Sequence, residues 1–297
     1  MIGSNMKTIL ITGINGFLGS NLATKLSKYY NIIGLEQDNN NLFRISHLHF
    51  KIYSISHHSL ESIFTENNID IIIHAATIYG HNNEKSSDII QTNVLLPVRL
   101  QELAQSHDVA AFLNIDSFFN HPDYKSKYLS EYSLSKKHCL EWLIGINSKI
   151  KLINLKIFHL YGPGDNKNKF VTWIIEQLMK NEPVIELTAG NQVRDFIYID
   201  DVTSAFKTLL DNIDSFQDTF KSIDIGSGLP LTIKEFVVIA KQTLNSASEL
   251  KFGALPYREG EIMFSKADIS SLETLNWKAE ISVTSGVEKI KSFTNDK

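Results

Sequence analysis

A tyrosine and a lysine lie four residues apart in the stretch YLSEYSLSKKHCLEWL, residues 128 to 143. A phenol, with an ordinary pKa of about 10, is a poor proton donor or acceptor at neutral pH unless a nearby cation stabilises its phenolate. If this stretch is a helix, the spacing puts Tyr132 and Lys136 on one face, where the ammonium group can supply that charge. The pattern alone equally fits a partly buried aromatic residue beside a surface lysine.

Three glycines at positions 13, 16 and 19 lie in TGINGFLGSNL, between the apolar run KTILIT and the helical pattern FLGSNLATKLSKYY. In a dinucleotide-binding turn, Gly13 would make the tight bend, Gly16 would let the backbone approach a pyrophosphate, and Gly19 would let the helix pack closely. Glycines alone could simply mark ordinary turns, but the strand and the helix occur where the motif requires them. The sequence therefore predicts a dinucleotide site, which we extend to three neighbours in the same loop: Asn15, Phe17 and Leu18.

Glu36 ends the second apolar run, NIIGLE. A carboxylate at this point can accept hydrogen bonds from the adenosine ribose and should repel a 2′-phosphate, which favours NAD. Two alternatives stay open: Glu36 could be a solvated residue after a strand, and Arg44 could bind a 2′-phosphate from the following loop. The cofactor is predicted to be NADPH or NADH, without a choice between them.

Ser117 follows the apolar run VAAFLNID, just beyond the end of a predicted strand. Open α/β sheets bind ligands at this carboxyl edge. A serine hydroxyl there can hydrogen-bond a substrate carbonyl. Ser117, Tyr132 and Lys136 would then form a set that polarises a carbonyl group and transfers a proton beside a nicotinamide.

Short apolar runs must carry these residues, and they alternate with helical patterns up to Phe158: KTILIT, NIIGLE, IDIIIHAA, VAAFLNID and KLINLKIF. Continuous apolar strands between helices predict an α/β fold with a doubly wound parallel Rossmann sheet. The alternation loosens afterwards, which predicts a smaller, interleaved C-terminal α+β substrate domain. We assign residues 1–158, with returning segments near 200–226, to the Rossmann domain, and residues 159–199 and 227–297 to the substrate domain.

Composition narrows the function classes. With 297 residues, 43% of them hydrophobic, the chain can bury a large core, and a net charge of -4 makes nucleic acid an improbable partner. The one cysteine, Cys139, forms no intrachain disulfide, and we predict no metal site. No run approaches the roughly 20 apolar residues of a membrane span, so we expect a soluble cytoplasmic protein without a membrane partner. Residues 1–5 precede a second methionine and could be a cloning extension or native.

The motifs in their order resemble the extended short-chain dehydrogenase/reductase (NAD-dependent epimerase/dehydratase) family over nearly the whole chain: TGINGFLG, IIIHAAT, TNVLLPVRLQELA, YSLSK, YGPGD, RDFIYIDDV, IGSG and REGE. The resemblance implies that Tyr132 is the acid–base residue, that Lys136 lowers its pKa and holds the nicotinamide ribose, and that Ser117 orients the sugar. Ala75 and Ala76 would line the cofactor.

The resemblance also implies a nucleotide-diphosphate sugar as substrate, bound by Arg194 in QVRDF and Arg258 in PYREGE, with His159 nearby. Guanidinium groups suit this task because they bind phosphate oxygens in pairs. Alternatively, Arg194 could pair with Asp195 or Asp200, and Arg258 with Glu259 or Glu261. Family habit further implies a homodimer through the helices of TNVLLPVRLQELA and YSLSKKHCLEWLIG.

Positions at which this sequence departs from the family pattern narrow the reactions that the resemblance implies. Phe118 and Phe119 stand where the 4,6-dehydratase branch has an Asp-Glu pair, so dehydration would lose its acid and base. His159 stands where 4-epimerases commonly have asparagine. The surroundings are most similar to the nucleotide-deoxysugar 4-ketoreductases, which implies reduction of a 4-keto-6-deoxy or 3,6-dideoxy sugar for surface polysaccharide. A 4-epimerase that retains NAD and a non-catalytic dinucleotide sensor are the alternatives.

Overall fold

The computed structural model describes residues 6–80, 83–120 and 129–295, so the interpretation of residues 1–5 lies outside the described part. The strands in chain order are β1 (Thr8–Thr12), β2 (Asn31–Glu36), β3 (Lys51–Ser54), β4 (Ile71–His74), β5 (Ala111–Ser117), β6 (Lys151–Ile157), β7 (His159–Tyr161), β8 (Val184–Leu187), β9 (Val193–Arg194), β10 (Phe196–Tyr198), β11 (Phe220–Ile225), β12 (Leu231–Thr232) and β13 (Glu249–Phe252).

The α-helices in chain order are α1 (Phe17–Leu26), α2 (Leu60–Glu66), α3 (Ser86–Ile90), α4 (Leu96–Ser106), α5 (Ser130–Ile146), α6 (Phe170–Lys180), α7 (Ile199–Asp211), α8 (Ile233–Leu244), α9 (Ser270–Glu273) and α10 (Val283–Asn295). A π-helical turn, Gln91–Leu95, joins α3 to α4, and short 3₁₀ turns occur at Phe118–Asn120 and Ile213–Ser215. None of the helices in the described ranges is long and apolar enough to cross a membrane.

The described chain divides into two compact units. The first comprises the segments up to residue 120, Leu129–Lys156 and Phe206–Ile223, and the second comprises Ile157–Ala205 and residues 224–295. These units are groups of segments that pack mainly among themselves. They do not test the domain boundaries assigned from the sequence, which stay a prediction.

The first unit is built on a seven-stranded parallel sheet with strand order β11-β6-β5-β4-β1-β2-β3, flanked by helices, which confirms the predicted fold class. Strand β1 pairs with β2 on one side and with β4 on the other, so the strand order reverses at β1. Its three central residues, Ile9, Leu10 and Ile11, are apolar and wholly buried, as a strand covered on both faces requires. The carboxyl ends of β1, β2, β4 and β5 therefore lie along one edge of the sheet.

Helix α5 packs one face on this core. Tyr132, Lys136, Cys139 and Leu143 are buried at helical spacing, and the last two join the same apolar cluster as Leu100 of α4. The opposite face leaves apolar side chains exposed on α5 and its neighbours, among them Ile90, Leu95, Leu134 and Trp142. The homodimer implied for these helices stays a prediction.

The second unit has short strand pairs: β7 with β10, β9 with β12, and β8 with β13. Its core includes three aromatic rings, since Phe196 stacks on Phe236 with centroids 4.2 Å apart and Tyr161 meets Phe236 edge-on at 5.9 Å. Helix α10 approaches closely, because a Cβ on Gly286 would lie 2.4 Å from the Tyr161 hydroxyl. Helix α8 begins with a capping box between Thr232 and Glu235.

Candidate active site

Ser117 and Tyr132 meet in the first unit. Ser117 is the last residue of β5, and Tyr132 lies in the first turn of α5, which places both hydroxyls at the carboxyl edge of the sheet. The Ser117 hydroxyl oxygen accepts the Phe119 amide at 3.3 Å, and the Ser117 side chain is near enough to Tyr132 to lower the pKa of that phenol. The predicted neighbourhood of these two residues is therefore present.

The Tyr132 phenol is held protonated. Burial raises its pKa well above the ordinary value, and the charges of Tyr79 and Asp116 act in the same direction, whereas the Ser117 side chain lowers it. The lowering that Lys136 is predicted to exert stays a prediction. A protonated phenol is the form required of a proton donor.

Lys136 lies one helical turn after Tyr132 and is 2% exposed. Its Nζ donates a hydrogen bond to the Ile115 carbonyl at 2.8 Å and lies 5.9 Å from the centre of the Tyr132 ring. Burial lowers the pKa of this ammonium group, while Cys139 and Asp116 raise it. The buried position excludes the alternative of an ordinary surface lysine.

Tyr79 is a site residue that the sequence interpretation missed. Its ring stacks on Tyr132 with centroids 4.7 Å apart and planes at 27°. The neighbouring loop is fixed by Asn93, which accepts the Ile78 amide and donates to the Ile78 carbonyl, both at 2.8 Å. Asn93 is wholly buried and also donates to Ser135 on α5 at 2.9 Å. The sequence offered one signal for this loop: Asn93 is a polar side chain inside the largely apolar start of TNVLLPVRLQELA, so it needed hydrogen-bond partners nearby.

The glycine-rich loop fits a dinucleotide. Gly13 has a φ of 63°, which only glycine adopts freely, and a Cβ there would lie 2.8 Å from Ala76. A Cβ on Gly19 would lie 2.1 Å from the Gly13 carbonyl oxygen, so close packing of α1 on the turn needs glycine. Gly16 is the N-cap of α1 and supplies no side chain to the first turn. The start of α1, at Phe17 and Leu18, is thus shaped to receive a phosphate group.

Glu36 and Arg44 both contact Asn15 in this loop. The Glu36 carboxylate accepts the Asn15 amide, and burial raises the pKa of Glu36 while this hydrogen bond opposes the rise. The Asn15 side chain accepts the Arg44 amide at 3.0 Å, and the Arg44 guanidinium donates to the Asn15 carbonyl at 3.3 Å. A carboxylate and a guanidinium therefore flank one loop residue, which keeps both cofactor choices chemically possible.

Ala75 and Ala76 follow β4 at the same edge, and both are partly buried. The Ala76 amide donates to the Thr12 hydroxyl at 3.1 Å, and that hydroxyl is hydrogen-bonded to His74 Nδ1 at 2.9 Å. Burial, assisted by the charge of Lys136, lowers the pKa of His74 well below its ordinary value. A neutral imidazole thus holds the strand ends around the predicted cofactor site.

The remaining predicted residues lie in the second unit. Arg194 is 6% exposed, donates to the Val193 carbonyl at 2.9 Å and forms an ion pair with Glu261. His159 begins β7, and burial, followed by the charges of Arg194 and Lys169, lowers its pKa well below the ordinary value.

Asp195, offered above as a partner for Arg194, instead accepts hydrogen bonds from the backbone and hydroxyl of Ser227. Arg258 is exposed at a turn in which its carbonyl accepts the Glu261 amide at 3.2 Å. The substrate-binding roles of Arg194, Arg258 and His159 stay predictions.

Aromatic rings occupy the two positions after Ser117. Phe118 and Phe119 form the 3₁₀ turn with Asn120, and their ring centroids are 4.2 Å apart. Neither side chain can donate or accept a proton. The carboxyl pair that the dehydratase branch uses is therefore replaced by an apolar surface.

Comparisons with known proteins identify the family of this chain. The model of the NAD dependent epimerase/dehydratase family matches residues 9–226. Two proteins named CDP-abequose synthase are similar over nearly their whole length: one from Salmonella typhimurium LT2, 31% identical over 95% of this chain and 96% of that protein, and one from Salmonella muenchen, 36% identical over 97% and 98%.

Among solved structures, a UDP-glucuronic acid 4-epimerase from Bacillus cereus, in complex with UDP-glucuronic acid and NAD, has a TM-score of 0.79 at 23% identity. The match covers 97% of this chain and 99% of that one. At this identity the likeness concerns the fold.

Proposed function

Because this chain belongs to the NAD-dependent epimerase/dehydratase family, we propose that it reduces the C4 keto group of a nucleotide-linked 4-keto-6-deoxy or 3,6-dideoxy sugar. Its cofactor is a nicotinamide dinucleotide, as NADPH or NADH. The two relatives named CDP-abequose synthase support an enzyme that modifies nucleotide sugars. The reductive direction is our proposal.

One observation carries this direction. The Tyr132 phenol is buried beside Ser117 in a site that keeps it protonated. A ketone that accepts a hydride develops negative charge on its oxygen and needs a proton donor, so a protonated phenol is ready for that reaction. The Phe118 and Phe119 rings argue against a different reaction of the family, because they offer no acid or base for loss of water.

The chain's own groups have separate tasks in this reaction. The reduced nicotinamide, when bound, would supply the hydride to C4. Tyr132 would donate its proton to the C4 oxygen, and Ser117 would donate a hydrogen bond to the same oxygen. Lys136 would stabilise the phenolate that remains, and the apolar rings of Phe118 and Phe119 would keep water from one side of the sugar. General acid catalysis of this kind contributes about 10²–10⁴-fold.

The test measures absorbance at 340 nm after the protein is mixed with NADPH or NADH and a CDP-, dTDP- or GDP-linked 4-keto-6-deoxy sugar. We expect oxidation of the cofactor with at least one sugar. Interconversion of a UDP-sugar without added cofactor would instead identify a 4-epimerase. If neither reaction occurs and Tyr132→Phe keeps every partner interaction, a non-catalytic sensor is supported.

The pH dependence gives a second test of the direction. Reduction needs the phenol and oxidation of the product alcohol needs the phenolate. Because the pKa of Tyr132 is raised, the rate of reduction should stay constant up to at least about pH 9. The rate of the reverse reaction should rise with pH over the same interval. A reduction rate that falls between about pH 6 and pH 8 would contradict this assignment.

A further inference from the structure

Asp116 is a buried carboxylate next to Ser117 for which the proposed reaction has no direct use. It is 2% exposed and lies one residue before the end of β5. One oxygen accepts the Ser117 amide at 2.7 Å and the Asn120 side-chain amide at 2.8 Å. The other oxygen accepts the Asn154 side-chain amide at 2.9 Å. A buried carboxylate is costly unless such donors compensate it, so this position requires an explanation.

The partner Asn154 belongs to a chain of hydrogen bonds with a single direction. Cys139 on α5 donates to the Asn114 side-chain oxygen at 3.8 Å, and Asn114 on β5 donates to the Asn154 side-chain oxygen at 2.7 Å. Asn154 on β6 then donates to Asp116. Since Asn154 uses its oxygen to accept from Asn114, it must turn its amide group toward Asp116.

The chain therefore needs an acceptor with no proton of its own at position 116. The three groups that contact Asp116 among the described residues are all donors. An ionised carboxylate accepts from all of them, whereas an amide would direct an NH₂ group at one of them. One of three donors would then lose its acceptor: the Ser117 amide, the Asn120 side chain or the Asn154 side chain. Each of these residues is buried or partly buried.

We infer that Asp116 is a positioning residue, which fixes the backbone of Ser117 so that the serine hydroxyl faces Tyr132 and the sugar. The inference rests on the proposed function for its catalytic part. Asp116 holds the Ser117 amide and the Asn120 side chain with one oxygen, so it determines the direction in which the chain leaves β5. Asn154 orients the carboxylate from the adjacent strand β6 and is itself oriented by Asn114 on β5, and Asp116 itself need not contact substrate.

The charge of Asp116 has a second, smaller effect on the same site. It raises the pKa of Lys136 and so helps to keep that buried lysine protonated. It also raises the pKa of Tyr132, which favours the phenol over the phenolate. Positioning and electrostatics therefore need to be separated by experiment.

Exchanging the side chains of Asp116 and Asn154 separates the positioning effect from the electrostatic effect. Asp116→Asn leaves donors facing donors, and we expect kcat to fall about 10- to 100-fold with a nearly unchanged KM for the cofactor, since small displacements of a positioned group have such costs. In the double variant Asp116→Asn with Asn154→Asp, the new carboxylate accepts from Asn114 and from the new amide, whose oxygen accepts from Ser117 and Asn120. Every hydrogen bond is then satisfied, and kcat should return to within about fivefold of the original value.

A matched control lies at the other edge of the same sheet. Asp70 precedes β4 and accepts the Thr8 amide at 2.7 Å, so it also holds a strand end through its backbone. Asp70→Asn removes the same kind of bond far along the strands from Ser117 and should leave kcat within about twofold. An equal loss of kcat in this control would show a general effect of weakening the sheet and would overturn the inference.

A measurement that needs no substrate keeps the two proposals distinguishable. Hydrogen exchange of the Ser117 amide, followed by NMR, should be slow in the original protein, at least about tenfold faster in Asp116→Asn, and slow again in the double variant. If no nucleotide sugar reacts, the proposed function fails while this exchange still tests whether Asp116 holds Ser117. Unchanged exchange in Asp116→Asn would overturn the inference, and so would a double variant with slow exchange and unrecovered kcat.

Discussion

The two units hold their candidate site residues by different means. In the first unit, Ser117 ends β5, Glu36 ends β2 and Ala75 follows β4, so regular strands bring them to one edge. In the second unit, Arg194 lies in a strand of two residues, and its surroundings are tied by the neighbouring Asp195. That wholly buried carboxylate accepts the amides of Ser227, Gly228 and Ala267. Position in the first unit thus follows mainly from regular strands, with Asp116 fixing Ser117 at the end of β5. Position in the second unit follows from one side chain, Asp195.

The comparison predicts where substitutions act. In the first unit, changing a site residue should alter catalysis and leave stability nearly intact, because strands and helices keep the backbone in place. In the second unit, changing the supporting carboxylate should reduce stability first. The following predictions test this difference, from the largest expected effect to the smallest.

Tyr132→Phe should abolish most activity. The variant keeps the ring that stacks on Tyr79 and loses only the hydroxyl group that would donate the proton, so kcat should fall by about 10²–10⁴-fold. Absorbance at 340 nm measures the rate, and thermal unfolding should occur within a few degrees of the original temperature. Tyr79→Phe is the matched control, since it removes a hydroxyl from the stacked neighbour. An equal loss in both variants would remove the distinction between the proton donor and its neighbour.

Asp195→Asn should lower the free energy of unfolding by about 2–3 kcal/mol, because a buried acceptor of several hydrogen bonds is replaced by a group that is partly a donor. Denaturant or thermal unfolding measures the change. Asp200→Asn is the control, since Asp200 is exposed and pairs with Lys289 at 3.3 Å, a contact that contributes at most about 1 kcal/mol. Equal losses would contradict the view that Asp195 ties the second unit together.

Arg194→Gln should raise the KM for the nucleotide sugar by about 10- to 100-fold, because a charge-assisted hydrogen bond to phosphate contributes about 1.5–3 kcal/mol. The value of kcat should change little. Glu261→Gln removes the other half of the ion pair and should leave this KM unchanged. If both variants lose stability and neither changes KM, Arg194 has only a structural role.

Glu36→Gln should shift the ratio of kcat/KM values for NADH and NADPH toward NADPH by about fivefold, equivalent to roughly 1 kcal/mol. The change removes a charge that would repel a 2′-phosphate and keeps an oxygen to accept the Asn15 amide. Arg44→Ala should shift the ratio the opposite way. An unchanged ratio in Glu36→Gln would mean that Glu36 acts only on the loop.

The sequence predicted the first unit well for a physical reason. Continuous apolar runs, the three glycines and the position of Ser117 after a strand are local patterns, and parallel strands convert them into one edge. Tyr79 escaped notice because its own neighbours do not distinguish a loop tyrosine that stacks on Tyr132, and the signal from Asn93 lies in a separate motif. Asp116 left a signal, since a polar residue in a buried strand must find partners, but the partner strand could not be known from one strand alone.

In the second unit, the sequence suggested two carboxylates for Arg194, and the structure pairs it with Glu261, far along the chain. The choice depends on how Asp195 is used, because it already holds the amides of Ser227, Gly228 and Ala267. Such contacts join segments with no shared periodicity. Charge proximity in sequence was therefore a poor guide to pairing in space.

The single cysteine can serve as a chemical probe of local opening. Cys139 is fully buried, and burial raises the pKa of its thiol to about 12, so the folded protein offers a reagent almost no thiolate. Modification must therefore wait until α5 separates from β5 or the chain unfolds. Because the sequence contains no second thiol, the time course of labelling in native buffer would report how often α5 separates when the reagent reacts faster than the helix returns. Lys136 lies one turn away on the same helix, so each recorded event would also be an interval in which the predicted catalytic groups are apart.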